Sequence, residues 1–185
     1  SVVGYRGTFT FSDQKFFLKS ICKILEKNKK TYIVFKSKNK PKISMYPENE
    51  KEAVEVMKKL KDHKRFIDGN NLEISSYDLM GASDLVISAP GSSVLYESII
   101  GGKKTISYDP TSRYKKNYIL AEQFPNFCAH GFNELEALID FWLNQCTKKD
   151  FINFQRKYIK LHFDDHCDGK AIDRLKKYLN INQVE

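Results

Sequence analysis

Pro90, Gly91, Ser92 and Ser93 in a row, with a carboxylate at Glu97, are the residues of this sequence whose types and spacing best suit ligand chemistry. They lie within "DLVISAPGSSVLYESIIGGKKTISYDP", residues 84–110, which reads as a buried strand, a small-residue turn, a helix, a glycine stop and a second strand. A helix N-terminus leaves backbone N–H groups unpaired and carries partial positive charge, so a turn of small residues before it can receive a phosphate at close range. Gly91 permits close backbone approach, and Ser92 and Ser93 add hydroxyl donors without bulk. Glu97 stands four residues after Ser93 and shares its helix face. A capping box places its Glu or Gln three residues after the cap, where Leu95 and Tyr96 stand, so that motif does not account for Glu97. A carboxylate suits the two hydroxyls of a ribose and repels a phosphate set directly against it. Phosphate over the serines with sugar at Glu97 satisfies both facts. Plain capping by Ser92 or Ser93, with Glu97 at the surface, is the alternative that the spacing leaves open.

Other candidates lie after apparent strands, where open parallel sheets bind ligands. Lys36, Lys38, Lys40 and Lys42 alternate after "TYIVF"; Lys36, nearest the strand end, is the phosphate candidate, and a solvated loop is the ordinary meaning of the rest. Arg113, with Lys115 and Lys116, follows the strand ending at Tyr108. Arg6 sits between Gly4 and Gly7 after the first strand, and His130 precedes Gly131 at a strand end that would face the base of a nucleotide. His162 and His166 share a helical spacing and Cys167 is next to them, but Asp164, Asp165 and Asp168 favour a loop and a helix cap over a metal site. We therefore expect no metal and no cofactor. A nucleophile elbow, a Walker loop and a dinucleotide fingerprint are absent, which disfavours hydrolase and kinase chemistry.

The elements that must position these residues alternate between strand and helix, the pattern of an α/β fold with a mostly parallel, doubly wound, Rossmann-like sheet flanked by helices. "SVVGY" reads as the first strand; Ser12 is the expected cap of a helix bearing Phe17, Ile21, Ile24 and Leu25; "TYIVF" is the second strand. Ala53, Val56, Met57 and Leu60 line a helix ending near Asp62, and a short element follows at "RFI" or "LEIS". Ser76 is the expected cap of a brief helix through Leu79. Asn133 with Glu136 is the expected start of a helix bearing Leu135, Leu138, Ile139, Trp142 and Leu143. Two last helices begin near Asp150 and Lys170. We expect one domain over residues 1–185, with helices from about 150 to 180 packing back on it.

The chain has 185 residues, 41% of them hydrophobic, enough to bury a core. Its net charge of +8 suits an anionic partner without choosing among nucleotide, phosphate, nucleic acid and acidic membrane. The four cysteines are widely spaced and read as reduced thiols. No apolar run approaches the ~20 residues that a bilayer requires. A cytoplasmic chain is expected, with docking at the inner face of the membrane left open. Ser1 in place of an initiator Met reads as a domain boundary inside a longer protein.

The run "ASDLVISAPGSSVLYESIIGGKKTISYDP" resembles the C-terminal, donor-binding half of GT-B-fold glycosyltransferases, especially those that build bacterial capsule and surface polysaccharides. "DGKAIDRLKKYL", residues 168–179, resembles the last helix of that group and of related polyol-phosphate transferases. The resemblance implies metal-independent glycosyl transfer from a nucleotide-activated sugar (UDP-, CMP- or CDP-linked). Ser92 and Ser93 would contact phosphate and Glu97 ribose. It also implies a second, N-terminal GT-B lobe as partner, holding the catalytic base, so that this half is not active alone. Where several relatives carry Lys-x-His-Pro, this chain has Lys36 and then Lys38 in the histidine's place. A sugar-nucleotide epimerase or polyol-phosphate transferase lobe on the same fold is one alternative, and a non-catalytic nucleotide-binding module another. A nucleic-acid partner is not expected, because no stripe of aromatic and basic residues accompanies the charge.

Overall fold

The computed structural model describes residues 10–37, 51–113, 125–162, 166, 168 and 170–179, without the side chains of residues 11, 161 and 162. By its contacts the chain divides into two compact units, Ser1–Gln145 and Cys146–Glu185. The first strand expected at "SVVGY" lies outside the described residues.

In the first unit, helix α1 (Phe11–Lys27) starts where Thr10 and Asp13 cap each other's backbone N–H groups. Ser12, the expected cap, therefore lies inside the first turn; the Thr-x-x-Asp box wins because it satisfies two orphan donors at once. Strand β1 (Ile33–Phe35) pairs in parallel with β2 (Phe66–Asp68), with Ile33 opposite Phe66 and Phe35 opposite Asp68. Helix α2 (Lys51–Lys61) lies between them in sequence, as parallel pairing requires of a crossover. Leu18, Ile21 and Leu25 of α1, Leu60 of α2 and Phe66 of β2 form a buried cluster, joined by the partly buried Ile33, Phe35, Val56 and Met57. "RFI" is thus the strand, while Leu72 and Ile74 of "LEIS" are exposed.

Helix α3 (Ser76–Ala82) is capped by Ser75 and Asp78, one residue earlier than expected. Strands β3 (Val86–Ser88), β4 (Thr105–Asp109) and β5 (Cys128–His130) form a second sheet in the order β3-β4-β5, and both pairings are parallel. Helix α4 (Ser93–Ile100) crosses from β3 to β4 and buries Leu95, Ser98 and Ile99. Every residue of β4 is buried, as befits the central strand. Helix α5 (Phe132–Asp140) runs on into a π-helical turn, Phe141–Gln145, whose Trp142 is buried. The indole N–H of Trp142 donates to the Asn126 carbonyl at 2.8 Å, so the ring is buried without an orphan donor. Asn133 does not begin α5. Gly131 does, at a φ of 87° that disfavours any side chain, and the Glu134 carboxylate accepts the N–H of His130 at 2.8 Å.

Helix α1 also meets the second sheet: Phe17 packs on Tyr108 at 5.4 Å, and the Ser20 hydroxyl pairs with the buried Tyr108 hydroxyl at 2.7 Å. The architecture is thus mixed α/β, with parallel strands in two small sheets flanked by helices, compatible with a Rossmann-like fold. The second unit contains α6 (Lys148–His162), opened by a Thr147–Asp150 capping pair, and α7 (Ala171–Tyr178).

Arg65 closes the other end of α1. Its guanidinium donates to the carbonyls of Leu25, Asn28 and Thr31, the last at 3.1 Å, and sets a positive charge on the negative end of the helix. Arg65→Ala removes all of these contacts and is expected to lower unfolding stability by about 2 kcal/mol. A urea titration that leaves the midpoint unchanged would show that the guanidinium carries no such share.

Candidate functional site

The C-termini of β3, β4 and β5 share one edge, so three loops emerge there side by side. The loop after β3 is the Pro90–Ser93 turn. Gly91 holds a left-handed φ of 71°, and a Cβ there would meet open space, so the residue answers a backbone requirement and not a packing one. Ser92 occupies the N-cap position of α4, yet its side chain makes no capping hydrogen bond. Plain capping, the rival reading of the serines, thus lacks its defining contact. The Ser92 N–H is taken by the Ala89 carbonyl and the Leu95 N–H by the Ser92 carbonyl. The N–H groups of Ser93 and Val94 have no partner among the described residues. Glu97 is half-buried, and its carboxylate likewise pairs with no described residue.

The loop after β4 carries a second cluster that sequence reasoning missed. Asp13 and Asp109 are each no more than 1% exposed. The Thr111 hydroxyl lies between them, 2.7 Å from Asp13 Oδ1 and 3.3 Å from Asp109 Oδ1. Asp13 Oδ2 accepts the N–H and hydroxyl of Thr10, each at 2.8 Å, and Arg113 Nη1 at 3.2 Å. Asp109 Oδ1 accepts the Thr111 N–H, while Oδ2 lies 3.3 Å from His130 Nδ1. The Asp109 backbone carbonyl also accepts the N–H of Gly131 at 2.9 Å. Arg113 and His130, chosen separately from sequence, are thereby joined through two buried carboxylates and a threonine.

Burial pushes the Asp13 pKa up. The Thr10 N–H, the Thr111 and Thr10 hydroxyls and the Arg113 charge outweigh it and hold the carboxyl below its usual value. Next to His130, burial pushes the Cys128 thiol up to about 12 against a hydrogen bond with Ser107. That thiol is no nucleophile at neutral pH.

The remaining sequence candidates fall elsewhere. Lys36 follows β1, at the edge of the other sheet, and its ammonium donates to the Ile74 carbonyl. Arg6, Lys38, Lys40, Lys42, Lys115 and Lys116 lie outside the described residues, as do Cys167 and the side chain of His162. No group of three His, Cys, Asp or Glu placed to hold a metal occurs among the described residues. No helix among them is long and apolar enough to cross a membrane.

A family model described as "polysaccharide biosynthesis PFTS motif protein" matches residues 5–139 of the chain, and so covers both sheets and both clusters. No curated protein matches, and no solved structure does.

The depressed value of Asp13 fixes a sign. Its stabilising share is in full force above the usual carboxylate value of 3.8 and fades as pH falls through the lower folded value. Asp13→Asn is expected to cost about 2 kcal/mol at pH 7, with the two proteins converging as the pH drops below that window. Chemical unfolding curves at pH 7, 5 and 3 measure this, and a gap that stays constant with pH would contradict it.

Proposed function

The chain belongs to the polysaccharide biosynthesis PFTS motif family, and from that premise we propose that its first unit binds the nucleotide-activated sugar of a glycosyl transfer step. The observation that carries the reading is the open N-terminus of α4. Two amides without partners among the described residues, a serine at the cap position that does not cap, and a left-handed glycine face the edge where parallel sheets receive ligands.

In this reading the phosphate of the donor rests on the N–H groups of Ser93 and Val94, with the Ser92 and Ser93 hydroxyls as further donors. As the glycosidic bond breaks, negative charge gathers on the leaving phosphate. Fixed amide dipoles then stabilise it without the reorganisation that water would need. Glu97, one turn along the same face, accepts hydrogen bonds from the ribose hydroxyls. Arg113, one loop away, and His130, two loops away, stand at the same sheet edge. Acceptor binding and the removal of its proton belong to a second lobe of the GT-B arrangement, which makes this unit the donor half of a glycosyltransferase.

Calorimetric titration of the chain with UDP, CMP, CDP and their sugar conjugates tests the reading, and the absence of saturable binding by any of them contradicts it. Glu97→Ala is expected to weaken nucleotide binding about tenfold, the worth of one charge-assisted hydrogen bond, and to leave inorganic phosphate unaffected. Ser92→Ala with Ser93→Ala is expected to weaken every phosphorylated ligand alike. Equal loss of nucleotide and phosphate in the Glu97 variant removes the ribose role.

A further inference from the structure

His130 ends β5 at the same sheet edge, and its side chain is only 7% exposed. Nδ1 lies 3.3 Å from Oδ2 of the buried Asp109. An ionised carboxylate can only accept, so Nδ1 carries the hydrogen of this contact and the lone pair of the neutral ring is on Nε2. Nε2 has no partner among the described residues. A buried acceptor left unpaired costs free energy, and native structures seldom keep one without a use. We propose that Nε2 of His130, oriented by Asp109, accepts a hydrogen bond from a hydroxyl of the bound ligand and so forms a saccharide subsite beside the phosphate cradle.

The placement suits that role. Two inter-strand spacings, about 10 Å, separate β3 from β5, so His130 shares the sheet edge with the start of α4. Among the described residues, the charged groups linked to His130 are Asp109 from β4 on the ring, Glu134 from α5 on the backbone N–H, Asp13 from α1 through Thr111 and Asp109, and Arg113 paired with Asp13. Three of these four are carboxylates, so a neutral hydroxyl fits better than a second anion. The tautomer is set by Asp109, which makes Asp109 a positioning residue for His130. The assignment rests on the donor-binding reading above, and it differs from that reading in its ligand atom and in its pH sign. A neutral ring accepts from a hydroxyl and a protonated one cannot, so binding through Nε2 weakens as pH falls. An anion at the same place would bind more tightly.

The experiment follows the ring nitrogens of His130 by 15N NMR in the full chain during titration with inorganic phosphate, CMP, UDP, UDP-glucose and free glucose. The expected result is an Nδ1–H tautomer without ligand, and a shift of Nε2 without protonation when a hydroxyl-bearing probe binds. Movement with glucose or UDP-glucose alone assigns the subsite to the transferred sugar, and movement with CMP or UDP as well assigns it to ribose. If glucose moves Nε2 while no nucleotide binds, the donor-binding reading fails and the saccharide subsite stands. Affinity for the probe that moves Nε2 is expected to fall once the ring is protonated, because an imidazolium has no lone pair with which to accept. His130→Gln, whose amide oxygen can accept the same bond, is expected to keep part of the affinity and lose the pH dependence, while His130→Phe loses both. Conversion of the ring to imidazolium by phosphate, or the failure of every probe to move Nε2, overturns the proposal.

Discussion

Parallel pairing of β3, β4 and β5 is the constraint on which the site depends. Antiparallel neighbours would send alternate loops to opposite ends of the sheet. Parallel ones, each returned by a crossover, deliver the Pro90–Ser93 turn, the Asp109–Arg113 loop and the His130–Gly131 turn to a single edge. The register completes the arrangement: Asp109 stands opposite His130, so the carboxylate and the imidazole meet because two strands end level. The full burial of β4 lets that register hold, since a slip of one residue would turn Ile106 and Tyr108 away from the face they now pack on.

The same edge carries the largest electrostatic burden among the described residues. Asp13 and Asp109 are both removed from water, an arrangement that is stable only when each oxygen is satisfied. The fold meets this demand locally for Asp13, through the Thr10 cap, and at long range for both, through Thr111, Arg113 and His130. The consequence is mechanical as well as electrostatic. The N-terminus of α1, the end of β4 and the end of β5 are held by one hydrogen-bonded cluster, which fixes the loops that border the candidate ligand site.

Much of this was legible from local pattern. The helical spacing of Ala53, Val56, Met57 and Leu60 marked α2, and the run from β3 through Gly91 to α4 was readable because glycine, small residues and an apolar helix each obey short-range rules. Starts of helices were less legible. Ser12, Ser76 and Asn133 all fit a capping pattern, but Thr10, Ser75 and Gly131 took the role, because a neighbour made a better pair or a left-handed turn was needed. The Asp13–Thr111–Asp109 contact could not be read at all. Asp13 and Thr111 are 98 residues apart, and nothing in either neighbourhood announces the other. The only local hints were a Thr-x-x-Asp box and an aspartate before Pro110 at a strand end. His130 and Arg113 were found as strand-end residues, whereas their connection is a product of tertiary structure.

The central claim is that the open amides at the start of α4 receive the phosphate of an activated sugar. The most direct measurement is the set of backbone amide shifts of the 15N-labelled chain on titration with sugar nucleotides. The account predicts that the largest changes centre on Ser93 and Val94 and saturate together with those of Gly91. Changes that leave these amides still while others saturate would place the ligand elsewhere and contradict the account.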